Sequence, residues 1–183
     1  STPSRCRSRS GFRTAARRAR PALTRCSSSM PAISLFMCNV ALSDVIVSID
    51  DVLVGGYTED IVVPVNVSNP DNSVGGFQFD IVAVPTIITL SGASPVDSDN
   101  FSADFTVFED GSGRVIFYNN NGGEISAGGY GVVLNLHYDG SDVLSALVEL
   151  EAFDLTVSDG DGNIISGELV NGSITIGNVV ILS

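Results

Sequence analysis

His137 is the single histidine of the chain, and a histidine base works only beside a nucleophile and an orienting acid. It stands in the alternating run Val132–Tyr138, on the side shared with Val133 and Asn135. No Cys occurs past residue 38 and no Gly-x-Ser-x-Gly motif is present, so His137 is expected to be structural. The chain has no Lys, which removes Schiff-base and P-loop chemistry. Glu149 and Glu151 lie two apart on one strand face, as a glycosidase pair could, but a sugar cleft is hard to build without Trp. The catalytic set is expected to be empty. Oxygen ligands are better represented. Asp159-Gly-Asp-Gly-Asn163 puts oxygens at positions one, three and five of a calcium loop. Positions six and twelve of that loop want Gly and Glu but are Ile164 and Val170, so Asp159, Asp161 and Asn163 read either as a hairpin turn or as a calcium site. Asp97-Ser-Asp-Asn100 is a second candidate for the same ion. Asn66, Asn100 and Asn171 each open an Asn-x-Ser sequon, the acceptor pattern for N-glycosylation.

The charge pattern divides the chain. Eight of the nine basic residues are Arg within residues 1–29, a segment without a single acid. All 21 acids follow, against Arg114 alone, so residues 30–183 carry 1 − 21 = −20. An acidic body of this kind repels phosphates, and no nucleic-acid partner is expected despite the basic arm. The basic lead, then a short apolar stretch over residues 31–42, then an acidic body, is the layout of a secretory signal. An organellar transit peptide, or translated sequence upstream of Met30, has the same look. All three cysteines, Cys6, Cys26 and Cys38, fall in this lead, so the body must hold together without disulfides. No apolar run approaches the roughly 18 residues of a membrane span. Two parts follow: residues 1–43, the basic lead with its apolar segment, and residues 44–183, the folded body. An extracellular or cell-surface location is expected.

From residue 44 on, β-branched and aromatic residues recur with period two between Gly, Asn, Asp and Ser clusters. Val45, Val47 and Ile49 share one face. Ile61, Val63, Val65 and Val67 share another, with Pro64 and Asn66 pointing out and Pro64 marking an edge or a bulge. Phe77, Phe79, Ile81 and Ala83 alternate with polar neighbours. Further strands are expected at Thr86–Leu90, Phe105–Phe108, Arg114–Tyr118, Val132–Tyr138, Leu147–Val157 and Gly172–Ile176. No window shows helical periodicity. The fold class is all-β, an antiparallel two-sheet β-sandwich of about nine strands behind an N-terminal extension.

The order of segments over residues 45–176 resembles the cohesin domains of bacterial extracellular proteins. The resemblance rests on Asp60-Ile-Val-Val-Pro-Val-Asn-Val-Ser68, Val74-Gly-Gly-Phe-Gln-Phe-Asp80, the strands at Gly113–Asn119 and Ile125–Leu136, and the closing pair Leu155–Asn163 and Leu169–Ile176. It implies a jelly-roll-type sandwich and a non-catalytic, protein-binding role outside the cell, with dockerin modules as typical partners.

Two apolar runs flank the body: Val45, Val47 and Ile49 at one end, and Val179, Val180, Ile181 and Leu182 at the other. Unpaired apolar strands recruit other chains through their free backbone groups. The first expectation for function is therefore an extracellular structural or adhesion module that adds strands to copies of itself and forms a filament when the contact does not close. The alternatives are a module binding another extracellular protein, dockerin-like in kind, and a carbohydrate-binding module stacking sugars on Tyr118, Tyr130 and Tyr138. No cofactor is required by these residues, and calcium is the one candidate.

Overall fold

Strands that alternate apolar and polar residues can hide their apolar sides only against another such layer. The computed structural model describes residues 45–177, and in it those sides meet. In chain order the strands are β1 (Val45–Ile49), β2 (Val52–Val54), β3 (Thr58–Asn69), β4 (Gly76–Val84), β5 (Thr89–Pro95) and β6 (Phe101–Val107). They continue as β7 (Gly113–Asn119), β8 (Gly129–Gly140), β9 (Ala146–Ser158), β10 (Ile164–Ile165), β11 (Gly167–Val170) and β12 (Gly172–Ile176). The smaller sheet runs β11-β1-β3-β8-β5, and the larger runs β2-β12-β9-β4-β7-β6 with β10 paired to β9 beside it.

The core lies between the sheets. Val45, Val47, Ile49, Ile61, Val63, Val65, Leu134, Leu136 and Tyr138 come from one side; Phe79, Ile81, Val115, Val148, Leu150, Ile174 and Ile176 come from the other, and all are buried. A row of stacked rings runs through the larger sheet. Phe117 sits 4.9 Å from Phe77 and 4.8 Å from Phe101, centroid to centroid. At about 25 cal/mol per Å2 of apolar surface, this burial is what offsets ordering the backbone.

The fold class is as expected, with four differences of detail. The sheets are antiparallel except at their chain ends, where β1 pairs parallel with β11 and β2 parallel with β12. The strand expected at Thr86–Leu90 starts at Thr89, and the one expected at Phe105–Phe108 starts at Phe101. The run Val45–Ile49 is not detached. It lies between β3 and β11, with its alternate side chains in the core, because these apolar residues find a partner face within their own sandwich. Finally, Asn66, on the side of β3 away from core-facing Val65 and Val67, is nevertheless buried: the register of β3 on β8 shifts between Val65 and Asn66, and the Asn66 side chain donates to Asp50 Oδ1 at 2.7 Å. Residues 1–43 and Val179, Val180, Ile181 and Leu182 lie outside the described residues.

Candidate functional site

The outer side of the larger sheet presents residues in rows, because directly opposed residues of an antiparallel pair share a face. One row is Phe153, Asp80, Arg114 and Thr106, across β9, β4, β7 and β6. The next is Thr156, Gln78, Ile116 and Asp104; the third is Ser158, Gly76, Tyr118 and Ser102. A bulge just after Phe153 brings Thr156 and Ser158 onto the same face as Phe153. Between the pairs Gln78–Thr156 and Asp80–Phe153, β9 carries one residue more than β4, and Asp154 takes a φ of 55° there. Ile116, Tyr118 and Phe153 remain 37%, 39% and 44% exposed. Tyr118 is held by its hydroxyl, which donates to Asp104 Oδ2 at 3.0 Å. Gly76 has no side chain, so the third row sinks into a groove of about 470 Å3 between Tyr118 and Ser158, closed at one end by the turn at Asp159.

Arg114 anchors the centre. Its Nε donates to Asp80 Oδ1 at 2.6 Å and its Nη2 to Asp80 Oδ2 at 2.8 Å, a bidentate pair. The hydrogen bonds from Arg114 hold the Asp80 carboxyl below its ordinary value of 3.8, against the opposing push of burial. A carboxyl lowered in the folded state binds fewer protons there than when unfolded, so its stabilising effect is present above the unfolded value and is lost as pH falls through the folded one. Arg114→Met leaves Asp80 buried and unpaired, and burial then raises its pKa. The variant is expected to be less stable than the parent at pH 7 and to approach it below pH ~4. Urea unfolding of both proteins at pH 7, 4 and 3 measures this; a constant gap across that range would refute it.

The turn after β9 uses the residues singled out for calcium. Asp159 Oδ1 accepts from the backbone N–H groups of Asp161 at 3.0 Å and Asn163 at 2.8 Å, and Oδ2 accepts from Asn163 Nδ2 at 2.9 Å. These bonds, led by those from Asn163, hold the Asp159 carboxyl below its ordinary range. The loop is thus closed by its own donors. Among the described residues no group of three His, Cys, Asp or Glu side chains is placed to hold a metal ion. Asp97 is used the same way, accepting from Asn100 Nδ2 at 2.8 Å.

The family model described as Cohesin domain matches residues 45–176. The chain belongs to the cohesin family. Solved cohesins share its fold at low identity. The non-cellulosomal cohesin of the archaeon Archaeoglobus fulgidus is 19% identical with a TM-score of 0.56, covering 73% of this chain and 91% of its own. The sixth cohesin of scaffoldin B from Acetivibrio cellulolyticus, solved in complex with a Cel5 dockerin, is 20% identical with a TM-score of 0.58, covering 73% and 99%. The cohesin module of a family 33 glycoside hydrolase from Clostridium perfringens is 17% identical with a TM-score of 0.59, covering 74% and 96%. No curated protein matches the chain.

The remaining residues of interest in this cohesin are scattered. Of the sequon asparagines, Asn66 is buried, Asn100 is exposed, and exposed Asn171 accepts from the Ala152 N–H at 3.0 Å. Tyr118 faces out from the larger sheet, Tyr130 sits on β8 of the smaller one, and Tyr138 is in the core, so the three tyrosines form no common sugar platform. His137 is not alone. It lies on the outer face of the smaller sheet between Asp60 and Ser94, neighbours that no local sequence pattern links to it.

Proposed function

We propose that this cohesin is a binding module that takes a protein partner, dockerin-like in kind, on the outer face of its larger sheet, and that it works outside the cell. The observation that carries the reading is the half-exposed set Ile116, Tyr118 and Phe153 around the Asp80–Arg114 pair, beside the groove over Gly76. Apolar and aromatic anchors around an Arg held in place by a carboxylate, once a partner covers them, are what concentrates binding energy in an interface. Cohesins of similar fold have been solved with dockerins bound. The acidic body favours a partner that brings Lys or Arg to the rim.

Calorimetric titration of the full chain with a panel of dockerin modules tests the reading. At least one module is expected to bind the parent protein, and Ile116→Asp is expected to weaken it roughly tenfold or more. Binding by none, or equal binding by the variant, would overturn it. Strand addition between copies is the competing function. With β1 inside the sheet, it would have to use the edge strands β2, β5, β6 or β11 or residues beyond Gly177. A sedimentation coefficient that rises with the concentration of the full chain would support that function instead.

A further inference from the structure

The outer face of the smaller sheet, opposite the proposed partner face, carries a second group of polar side chains. Asp60 on β3, His137 on β8 and Ser94 on β5 come from three adjacent strands. His137 Nδ1 is 2.9 Å from Asp60 Oδ1, and His137 Nε2 is 2.8 Å from Ser94 Oγ. An ionised carboxylate only accepts, so Nδ1 carries the proton. In the neutral ring Nε2 then offers its lone pair, and the Ser94 hydroxyl donates to it. Hydroxyl, imidazole and carboxylate stand in the order that activates a serine.

Two neighbours complete the arrangement. Gly92 pairs directly with His137, and a Cβ at position 92 would come 3.3 Å from His137 Cβ and 3.5 Å from its Cδ2. The imidazole lies over the space that the glycine leaves. Asn135 pairs directly with Ser94, so the two side chains leave the same face about 5 Å apart. The Asn135 amide makes no hydrogen bond to any described residue. A free side-chain amide beside a nucleophile is a donor for the oxygen that becomes negative during acyl transfer.

We propose that Ser94 is a nucleophile that takes an acyl group from small, uncharged esters. Ser94 Oγ bonds to the ester carbonyl carbon while its proton passes to His137 Nε2. The Asn135 amide donates to the carbonyl oxygen as it becomes an oxyanion. The ester C–O bond then breaks, and the alcohol leaves with the proton from His137. Water, deprotonated by His137, releases the acid and restores Ser94. Asp60 positions the ring and holds the Nδ1 proton. The substrate class follows from the surface. The face is open, its apolar neighbours are Val62 and Pro64, and the body carries excess negative charge that repels anionic esters.

The full chain incubated with p-nitrophenyl acetate tests this. Mass spectrometry of the digested protein is expected to find one acetyl group on Ser94, and p-nitrophenolate release is expected to exceed that of the Ser94→Ala variant. His137→Asn and Asn135→Ala are each expected to slow acylation about a hundredfold. Asp60→Asn is expected to slow acylation at saturating ester while leaving the half-saturating concentration unchanged, which a merely structural loss would not do. Unfolding midpoints check that each variant folds. An absence of acetyl on Ser94 in the parent protein, acetylation spread equally over other serines, or equal release by Ser94→Ala would overturn the proposal.

Discussion

Phe117→Ala is expected to destabilise the fold by about 3–5 kcal/mol. The ring is 1% exposed and stacked between Phe77 and Phe101 at 4.9 and 4.8 Å. It also pairs directly across the ladder with Phe77 on β4 and with Ala103 on β6. The cost of a deleted side chain depends on how far its surroundings can collapse into the gap. Here collapse is restricted, because β7 is hydrogen-bonded on both edges and cannot shift without breaking a ladder. Domains of this kind have about 5–15 kcal/mol in all, so the variant would be marginal. Urea unfolding is expected to show a lower midpoint with an unchanged slope. A loss below about 1 kcal/mol would mean that the ring row is not a principal part of the core.

Gly172→Val is the second large effect, about 3 kcal/mol or more. A Cβ at Gly172 would stand 2.5 Å from the carbonyl oxygen of Ile49 and 2.6 Å from that of Asp50. Both obstacles are backbone, so no rotamer change relieves them. β12 would have to move away from the β1–β2 corner. That shift would loosen Ile174 and Ile176, which are buried, and the 2.8 Å hydrogen bond from Ser173 Oγ to Asp51 Oδ1. Ser173→Val, one residue on, removes only that bond and is expected to cost about 1 kcal/mol. Thermal unfolding of the two variants side by side measures the contrast, and similar melting temperatures would show that β12 has room to adjust.

The strands that build the core were readable from alternation alone, since Ile61 to Val67, Phe77 to Ala83 and Gly172 to Ile176 bury the side that their spacing marks. β5 was misplaced for a physical reason. Its apolar letters, Ile87 and Ile88, precede the strand, while the residues that pair with β8 include Gly92, Ala93 and Ser94, which have little strand preference of their own. β2 and β11 escaped notice because each is short and pairs with a strand from the far end of the chain. The binding face was half visible. Ile116, Tyr118 and Phe153 fall on the outer side by simple alternation, but Thr156 and Ser158 join them only through the bulge at Asp154. The Ser94–His137–Asp60 group was invisible, since its members lie 43 and 77 residues apart and meet only when β3, β8 and β5 are set side by side. In the turn at Asp159 the residue letters fit calcium and hairpin alike, and only the folded turn shows which donors the carboxylate already accepts from.

The pairing of the first strands with the last has a kinetic cost. Asp51 and Ser173, joined by a hydrogen bond, are 122 residues apart in the chain. β1 therefore lacks its second partner, and β2 its only one, until nearly all of residues 45–176 have left the ribosome or crossed a translocation pore. Contacts of such long range are slow to close, on the order of milliseconds to seconds. In that interval the apolar β1 is a sticky intermediate. Folding yield in the cell is therefore expected to depend on what shields this strand before β11 arrives.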